Sequence, residues 1–170
     1  MERRDWLSLV LFKLGWFVAV YGGSDWLIWQ LPIVLAALFV VRPTGIALGV
    51  VSAVALSGIL RDAALIMSGV LNTDGAPMPL WLALLWLQFA LVLERGMHWM
   101  NRLSQPVQCV VGVVTGGLAY AAAVSLGAAR IGDGAGSVAA AWVVIALTWG
   151  VLLWVQLRMT SLSQREGAFS

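Results

Sequence analysis

Residues 44–71 of the chain read TGIALGVVSAVALSGILRDAALIMSGVL, and Arg61 and Asp62 are the only charged side chains among them. A helix over the whole stretch would be about 42 Å long, whereas the hydrocarbon core of a bilayer is about 30 Å thick. The stretch therefore predicts a membrane helix that either tilts strongly or ends early and continues as a turn at the membrane interface.

The rest of the chain has the same character, since 61% of its 170 residues are hydrophobic, 11% are charged and the mean hydropathy is +0.92. A soluble domain needs a more polar surface than this composition allows. Further apolar runs cover residues 6–22, 26–41, 79–97, 107–128 and 138–157. We therefore predict one all-α membrane domain, a bundle of about six transmembrane helices, with a polar cytoplasmic tail over residues 158–170 that we expect to be disordered.

The arginines near the ends of these runs are unevenly divided between the two sides of the predicted bundle. Arg130 is alone on one side, and seven lie on the other: Arg3, Arg4, Arg42, Arg95, Arg102, Arg158 and Arg165. Loops rich in basic residues stay in the cytoplasm, so both termini are predicted to be cytoplasmic. The tryptophans near the ends of the runs agree, because indoles favour the membrane interfaces.

Several classes of function find no support in the sequence. It has no phosphate loop, dinucleotide fingerprint, catalytic serine elbow or paired cysteine motif. With His98 as the one histidine and Cys109 as the one cysteine, we expect no metal site and no cofactor. The basic residues are scattered singly, so we expect no nucleic-acid partner, and membrane lipids are the predicted partners. Another membrane protein or a second copy of the chain stays open as a partner.

Two charged residues at bilayer depth are candidates for an ion pair. A charge at that depth costs at least about 2.5 kcal/mol, so each needs a partner or a route to water. Lys13 and Glu94 fall at similar depths in the first and fourth helices, which predicts a pair that neutralises both. In the alternative, Lys13 extends alone towards the headgroups and Glu94 pairs with Arg95 or His98.

Arg61, Asp62 and Tyr120 are the candidate functional polar residues. Arg61 and Asp62 point about 100° apart around a helix, so we expect them to have different roles. The long side chain of Arg61 can reach the outer headgroups, whereas Asp62 must face the bundle interior or a hydrated pocket. Asp62 is then either a structural hydrogen-bond acceptor or a proton or ligand site. Tyr120 falls in mid-membrane, where its hydroxyl needs a partner.

Small residues recur at four-residue spacing in two of the runs. The positions are Gly45, Gly49, Ala53 and Ser57 in the third run and Gly112 and Gly116 in the fifth. Such stripes allow two helices to approach closely, so these positions are predicted to be packing contacts.

The chain also resembles a known family over about residues 7–155. The resemblance rests on motifs that occur in this order: Leu14-Gly15-Trp16-Phe17, Gly58-Ile59-Leu60-Arg61-Asp62, Pro79-Leu80-Trp81, Phe89-Ala90-Leu91, Trp99, Gly116-Gly117-Leu118-Ala119-Tyr120 and Leu126-Gly127-Ala128. These are similar to bacterial inner-membrane proteins of the domain-of-unknown-function family 2878. The resemblance implies a small polytopic protein of the bacterial inner membrane with no established activity, often encoded beside lipid-modifying, cyclopropane-synthase-like enzymes. Asp62 and Tyr120 match the family pattern, whereas members typically have glutamine in place of Lys13, asparagine and histidine in place of Glu94 and Arg95, and proline in place of Gly117.

Three functions are compatible with these observations. The first is a non-enzymatic, lipid-binding or accessory component of envelope lipid metabolism, which needs no catalytic residues. The second is a small proton-coupled transporter with Asp62 in its pathway. The third is an intramembrane lipid-modifying enzyme in which Asp62 acts as a general base beside Tyr120. The sequence favours the first and leaves the other two open.

Overall fold

The computed structural model describes residues 2–73 and 77–166, with side chains up to residue 161. The chain is all-helical apart from a two-residue strand pair. The helices are α1 (Arg3–Gly22), α2 (Leu27–Val41), α3 (Ile46–Met67), α4 (Leu80–Arg95), α5 (Gln105–Ser125) and α6 (Val138–Glu166). The smaller elements are the 3-10 turns Gly23–Trp26 and His98–Arg102, and the strands β1 (Leu71–Asn72) and β2 (Arg130–Ile131).

Four helical stretches among the described residues are long and apolar enough to cross a membrane: Arg3–Val41, Ile46–Met67, Gln105–Ser125 and Val138–Ser161. The first stretch contains both α1 and α2, which pack against each other because the backbone turns at Gly23, where φ is 51°. Helix α4 is not among these four stretches, because it has only 16 residues. The structure therefore has four candidate spans, and the count of six stays a prediction.

Polar and apolar side chains are distributed in the opposite way to a soluble protein. The side chains of Asp62, Gln30 and Gln156 are fully buried. Ile28 and Leu60, in contrast, are 72% and 68% exposed. Water favours the reverse arrangement, whereas lipid is as apolar as a leucine side chain. The outer surface of the bundle therefore suits a hydrocarbon environment.

Helix α4 lies at the centre of the bundle and packs against α1, α2, α3 and α6. Half of its length is buried, including Trp86, Leu91 and Leu93. Its register against α1 is defined by close contacts, since the ring of Phe12 lies 5.8 Å from that of Phe89. This short helix is thus covered largely by other helices of the bundle.

The long third run ends early, and α3 is not broken at Arg61 and Asp62. It stops at Met67, and Gly69 follows with φ of 72°, a conformation that glycine adopts without strain. The next residues form β1, which pairs antiparallel with β2. Gly134 fits closely beneath this turn, because a Cβ there would lie 2.0 Å from the carbonyl oxygen of Ser68. Of the two arrangements that the sequence allowed, the structure has the helix that ends early and is followed by a turn.

The expectation of a disordered tail from residue 158 is wrong, because α6 continues to Glu166. Leu157 and Thr160 are buried, at 1% and 0% exposure, where α6 packs against the second 3-10 turn. Thr160 also accepts a hydrogen bond of 3.4 Å from Asn101 of that turn. An apolar and a polar contact of this kind hold the last turns in place. Residues 167–170 of the predicted tail lie outside the described residues.

The packing stripe predicted on α3 is only partly correct. A Cβ added to Gly45 or Gly49 would meet nothing within 4 Å among the described residues, so neither glycine is a packing contact. Gly45 instead precedes α3 with φ of 53°. Ala53 is half-buried, and Ser57 accepts a hydrogen bond of 3.0 Å from Gln156 Nε2. The close approach occurs one residue further on than the stripe, at Gly58.

The glycines predicted to pack on α5 do so against α6. A Cβ on Gly112 would lie 2.9 Å from the Cα of Gly150, and one on Gly116 would lie 2.2 Å from the indole of Trp149. This close approach explains why α5 and α6 form the most extensive helix pair of the bundle.

We expect Gly58→Ala to destabilise the protein by about 1–3 kcal/mol, the usual cost of overpacking. Its new Cβ would lie 2.0 Å from the Trp86 ring, which has no room to move away from the buried interior. The matched control is Gly49→Ala in the same helix, which should be neutral or stabilising because alanine favours helix. Thermal unfolding in detergent micelles measures both, and equal effects of the two substitutions would contradict the packing.

Candidate functional site

The site is built around the carboxylate of Asp62, which is fully buried. Asp62 Oδ1 accepts hydrogen bonds from the Tyr120 hydroxyl at 2.5 Å and from Arg61 Nη1 at 2.7 Å. Asp62 Oδ2 accepts one from Trp86 Nε1 at 2.7 Å. The donors come from α3, α4 and α5, so one carboxylate joins three helices. We call Arg61, Asp62, Trp86, Tyr120 and Thr148 the Asp62 cluster.

Arg61 does not extend to the outer headgroups, contrary to the expectation from its sequence position. Its guanidinium turns inwards, where Nη2 donates to Thr148 Oγ1 at 2.9 Å and to the carbonyl oxygen of Ile145 at 2.8 Å. Nη1 donates to Tyr120 at 2.8 Å as well as to Asp62. The arginine stem is long enough to fold around the helix, which the angle between neighbouring Cα positions does not reveal.

Aromatic rings surround this ion pair. Trp86 stacks on Trp149 with ring centres 5.1 Å apart, and Phe89 meets both edge to face. The Arg61 Cζ lies 5.0 Å from the centre of the Tyr120 ring and 5.7 Å from that of Trp149. A buried ion pair is tolerated only where its geometry is good and its remaining donors are used. The cluster meets both conditions and carries no net charge.

A groove of about 550 Å³ runs beside the cluster. Helices α1 and α5 form its sides, and α4 and α6 form its floor. Its walls are mostly apolar, and they include Phe12, Trp16, Leu85, Phe89, Ala119 and Leu153. Some wall residues, such as Leu118 at 66% exposure, are open to the surroundings, so the groove reaches the surface of the bundle.

The groove extends along most of the bundle. Trp99 and Met100 lie at one end, after α4, and Leu71 and Ala129 lie at the other, beside the strand pair. Between them it passes Tyr120, whose hydroxyl belongs to the Asp62 cluster. Asp62 itself is behind this wall. Tyr120 and Trp86, both bonded to the carboxylate, separate it from the groove, and of these two the tyrosine can relay a proton.

The predicted Lys13 to Glu94 pair is not formed. Among the side chains that the structure describes, ion pairs join Arg61 to Asp62, and Arg95 to Glu2 and Asp5, and none joins Lys13 to Glu94. The helix register explains the difference, because Phe12 lies opposite Phe89 and Glu94 is about 7 Å further along α4. Lys13 is exposed and lines the groove, and Glu94 is half-buried near the end of α4.

Two contacts between α1 and α4 were not predicted from the sequence. Arg95 joins the ends of α4 and α1 through Glu2 at 2.7 Å and Asp5 at 3.4 Å. The acidic residues at positions 2 and 5 were the available signal. Gln88 is 1% exposed and lies against α1, where a Cβ on Gly15 would be 2.2 Å from its amide. A glutamine within an apolar run does not indicate which neighbouring helix it contacts.

Within residues 2–73 and 77–166, no group of three or more histidine, cysteine, aspartate or glutamate side chains is placed to hold a metal ion. The fold and site define an all-α bundle of membrane-type helices with a neutralised ion pair beside an apolar groove. Residues 5–155 match the family described as "Protein of unknown function (DUF2878)". The chain belongs to this family, which confirms the resemblance seen in its sequence. No curated protein and no solved structure gives a significant match.

We expect Asp62→Asn to destabilise the protein by about 3–5 kcal/mol, because it leaves the Arg61 guanidinium buried without a counter-charge. Tyr120→Phe removes one hydroxyl and should cost about 1–3 kcal/mol. Thermal unfolding in detergent micelles measures both effects, and Asp62→Asn should be the more destabilising of the two.

The control for charge loss alone is Asp133→Asn in the exposed loop before α6, which should leave unfolding unchanged. A second control, Arg61→Met combined with Asp62→Asn, removes both charges and should recover part of the loss. If Asp62→Asn unfolds like the unmodified protein, Asp62 does not hold the helices together.

Proposed function

We propose that the protein binds a lipid in the membrane, with one acyl chain lying in the groove, as a non-enzymatic component of envelope lipid metabolism. The observation that carries this proposal is the groove itself, an apolar channel of about 550 Å³ that opens at the surface of the bundle. Sites for small molecules usually measure about 300–1,000 Å³ and are lined mainly by apolar and aromatic side chains.

The dimensions of the groove support an acyl chain as its occupant. It runs beside α4, whose 16 residues extend about 24 Å. A lipid chain crosses half of a hydrocarbon core about 30 Å thick, so one chain fits along the groove parallel to the helices. Apart from Lys13 and Thr115, the exposed side chains of the groove are apolar, and lipid tails are the molecules that such a surface meets in a bilayer.

The Asp62 cluster supports lipid binding in preference to proton-coupled transport. A proton pathway needs a carboxylate that water or a proton carrier can reach. Asp62 is fully buried, and both of its oxygens accept hydrogen bonds. Its role in the proposal is to join the helices that form the floor and one side of the groove.

A lipid-modifying enzyme is the second candidate, and one contact favours it. Tyr120 lines the groove and its hydroxyl donates to Asp62 at 2.5 Å, so a tyrosine and a carboxylate are close enough for proton transfer near a bound lipid. The two candidates differ in the state of the lipid after binding. An enzyme returns it with a changed mass, and a binding protein returns it unchanged.

We further propose that the protein spans the bacterial inner membrane six times, with α4 as one of the spans and both termini in the cytoplasm. The contacts of Arg95 with Glu2 and Asp5 bring the start of α1 to the end of α4. Arg102 lies in the 3-10 turn that packs against the last turns of α6, so these basic residues share one end of the bundle. Arg130 is at the strand pair, and the positive-inside rule orients the bundle accordingly.

The orientation predicts opposite labelling of two exposed loop positions. In a Cys109→Ser background, Asp133→Cys should react with a membrane-impermeant maleimide in intact cells after outer-membrane permeabilisation. Ser104→Cys, in the loop before α5, should react only after the inner membrane is opened. Labelling of Ser104→Cys alone in intact cells would reverse the topology, and labelling of both positions would contradict a single span, α5, between them.

Filling the groove is predicted to prevent lipid binding. Ala119→Phe adds a ring to the groove wall, so recovery of co-purified lipid should fall by about tenfold or more. The matched control is Ala121→Phe, two residues along α5, on an exposed surface outside the groove. Native mass spectrometry of the protein released from membranes measures the bound lipid and its mass.

The two variants must unfold at similar temperatures for this comparison. Equal loss of lipid from Ala119→Phe and Ala121→Phe, or no loss from either, would contradict binding in the groove. A bound lipid whose mass changes with time, and does so only when Tyr120 is present, would support the enzyme instead.

A further inference from the structure

Lys13 is the only lysine of the chain and lies among the apolar walls of the groove. It is exposed, and its neighbours Phe12 and Trp16 line the same channel. In the part of the chain that the structure describes, no acidic side chain lies within ion-pair distance of it. The buried acids Asp5 and Asp62 are each held by an arginine. The cation therefore faces the site that an occupant of the groove would fill.

We infer that Lys13 binds the anionic head of the groove's occupant, and that this occupant is a long-chain fatty carboxylate. This inference rests on the proposed lipid-binding function and specifies its ligand. An ammonium has three donors, and its hydrogen bonds to a carboxylate are stronger than those between neutral groups. Attraction between the two charges increases further where apolar walls exclude water.

The position of Lys13 along the groove suits a ligand with a charged head and an apolar tail. The Phe12 contact places it level with Phe89, about 9 Å from the end of α4 at Arg95. Its flexible stem can carry the amine towards that end, where the headgroups of one leaflet lie. In the other direction the groove continues past Tyr120 and Val20 to Leu71. A chain of one leaflet's depth, about 15 Å, fills this part of the groove.

The number of charges in the groove favours a ligand with a single carboxylate. The walls of the groove contain one cation, which matches one carboxylate. The remaining polar wall groups, such as Thr115 and Tyr120, are uncharged at neutral pH, and Tyr120 is already bonded within the Asp62 cluster. A fatty carboxylate gives the Lys13 ammonium a partner of opposite charge within the groove, whereas a neutral lipid gives it none.

The test compares two photo-reactive probes, a diazirine-bearing palmitic acid and the matched palmityl alcohol, with the full-length protein in uncharged detergent. We expect the acid to cross-link to α1 and α5 about fivefold more than the alcohol, the gain typical of a partly solvated charge pair. Lys13→Gln should remove this preference and leave cross-linking of the alcohol unchanged, and Lys13→Arg should retain it. Arg4→Gln, an exposed charge loss on the same helix outside the groove, is the matched control.

The outcomes separate this inference from the proposed function. If acid and alcohol cross-link equally in the groove, and Lys13→Gln changes neither, the carboxylate assignment is overturned while acyl-chain binding stands. If Arg4→Gln removes the preference as well as Lys13→Gln does, general attraction to the positive protein is responsible and Lys13 has no specific role. If neither probe labels groove residues, lipid binding in the groove is itself overturned.

Discussion

The buried carboxylate of Asp62 is the constraint on which the arrangement of the helices depends. An unpaired charge in an apolar interior is costly, and Asp62 has no exposure through which water could relieve that cost. Its donors come from the same helix and from two others, and its partner Arg61 is anchored to α6. Four helices must therefore assemble before the charge is satisfied. Such a requirement specifies one packing among the many that uniform apolar surfaces allow.

The glycines of the interior follow from this arrangement. The Trp86 indole reaches Asp62 only if it lies flat against α3, and Gly58 leaves the space for it. Gly116 does the same for Trp149, which stacks on Trp86. The groove is a consequence of the same packing. Because α5 is held against α6 and α1 against α2 and α4, one face of α4 is left uncovered between them.

The sequence predicted what depends on local chemistry and missed what depends on register. Apolar runs gave helix positions to within a few residues except at the end of α6, and the short side chain of Asp62 correctly implied an interior location. The prediction that Arg61 reaches the headgroups is wrong, because the angle between neighbouring Cα positions does not determine where a long side chain places its guanidinium. The Lys13 to Glu94 pair failed because equal depth from the membrane edge is a poor measure of the register between two helices. The packing contact predicted at Gly49 is not formed, because small residues at regular spacing also occur on helix faces that no other helix covers.

The hydrogen bonds of Tyr120 limit what the groove can bind. A phenol has one donor and two acceptor positions. The donor is given to Asp62, and one acceptor position is occupied by Arg61. A ligand group at this depth therefore finds at most one free acceptor on Tyr120, beside the stacked rings of Trp86 and Trp149. A polar ligand would lose more hydrogen bonds to water than this wall returns, whereas a methylene chain loses none. The cluster thus makes the middle of the groove selective for hydrocarbon although a buried ion pair lies directly behind it.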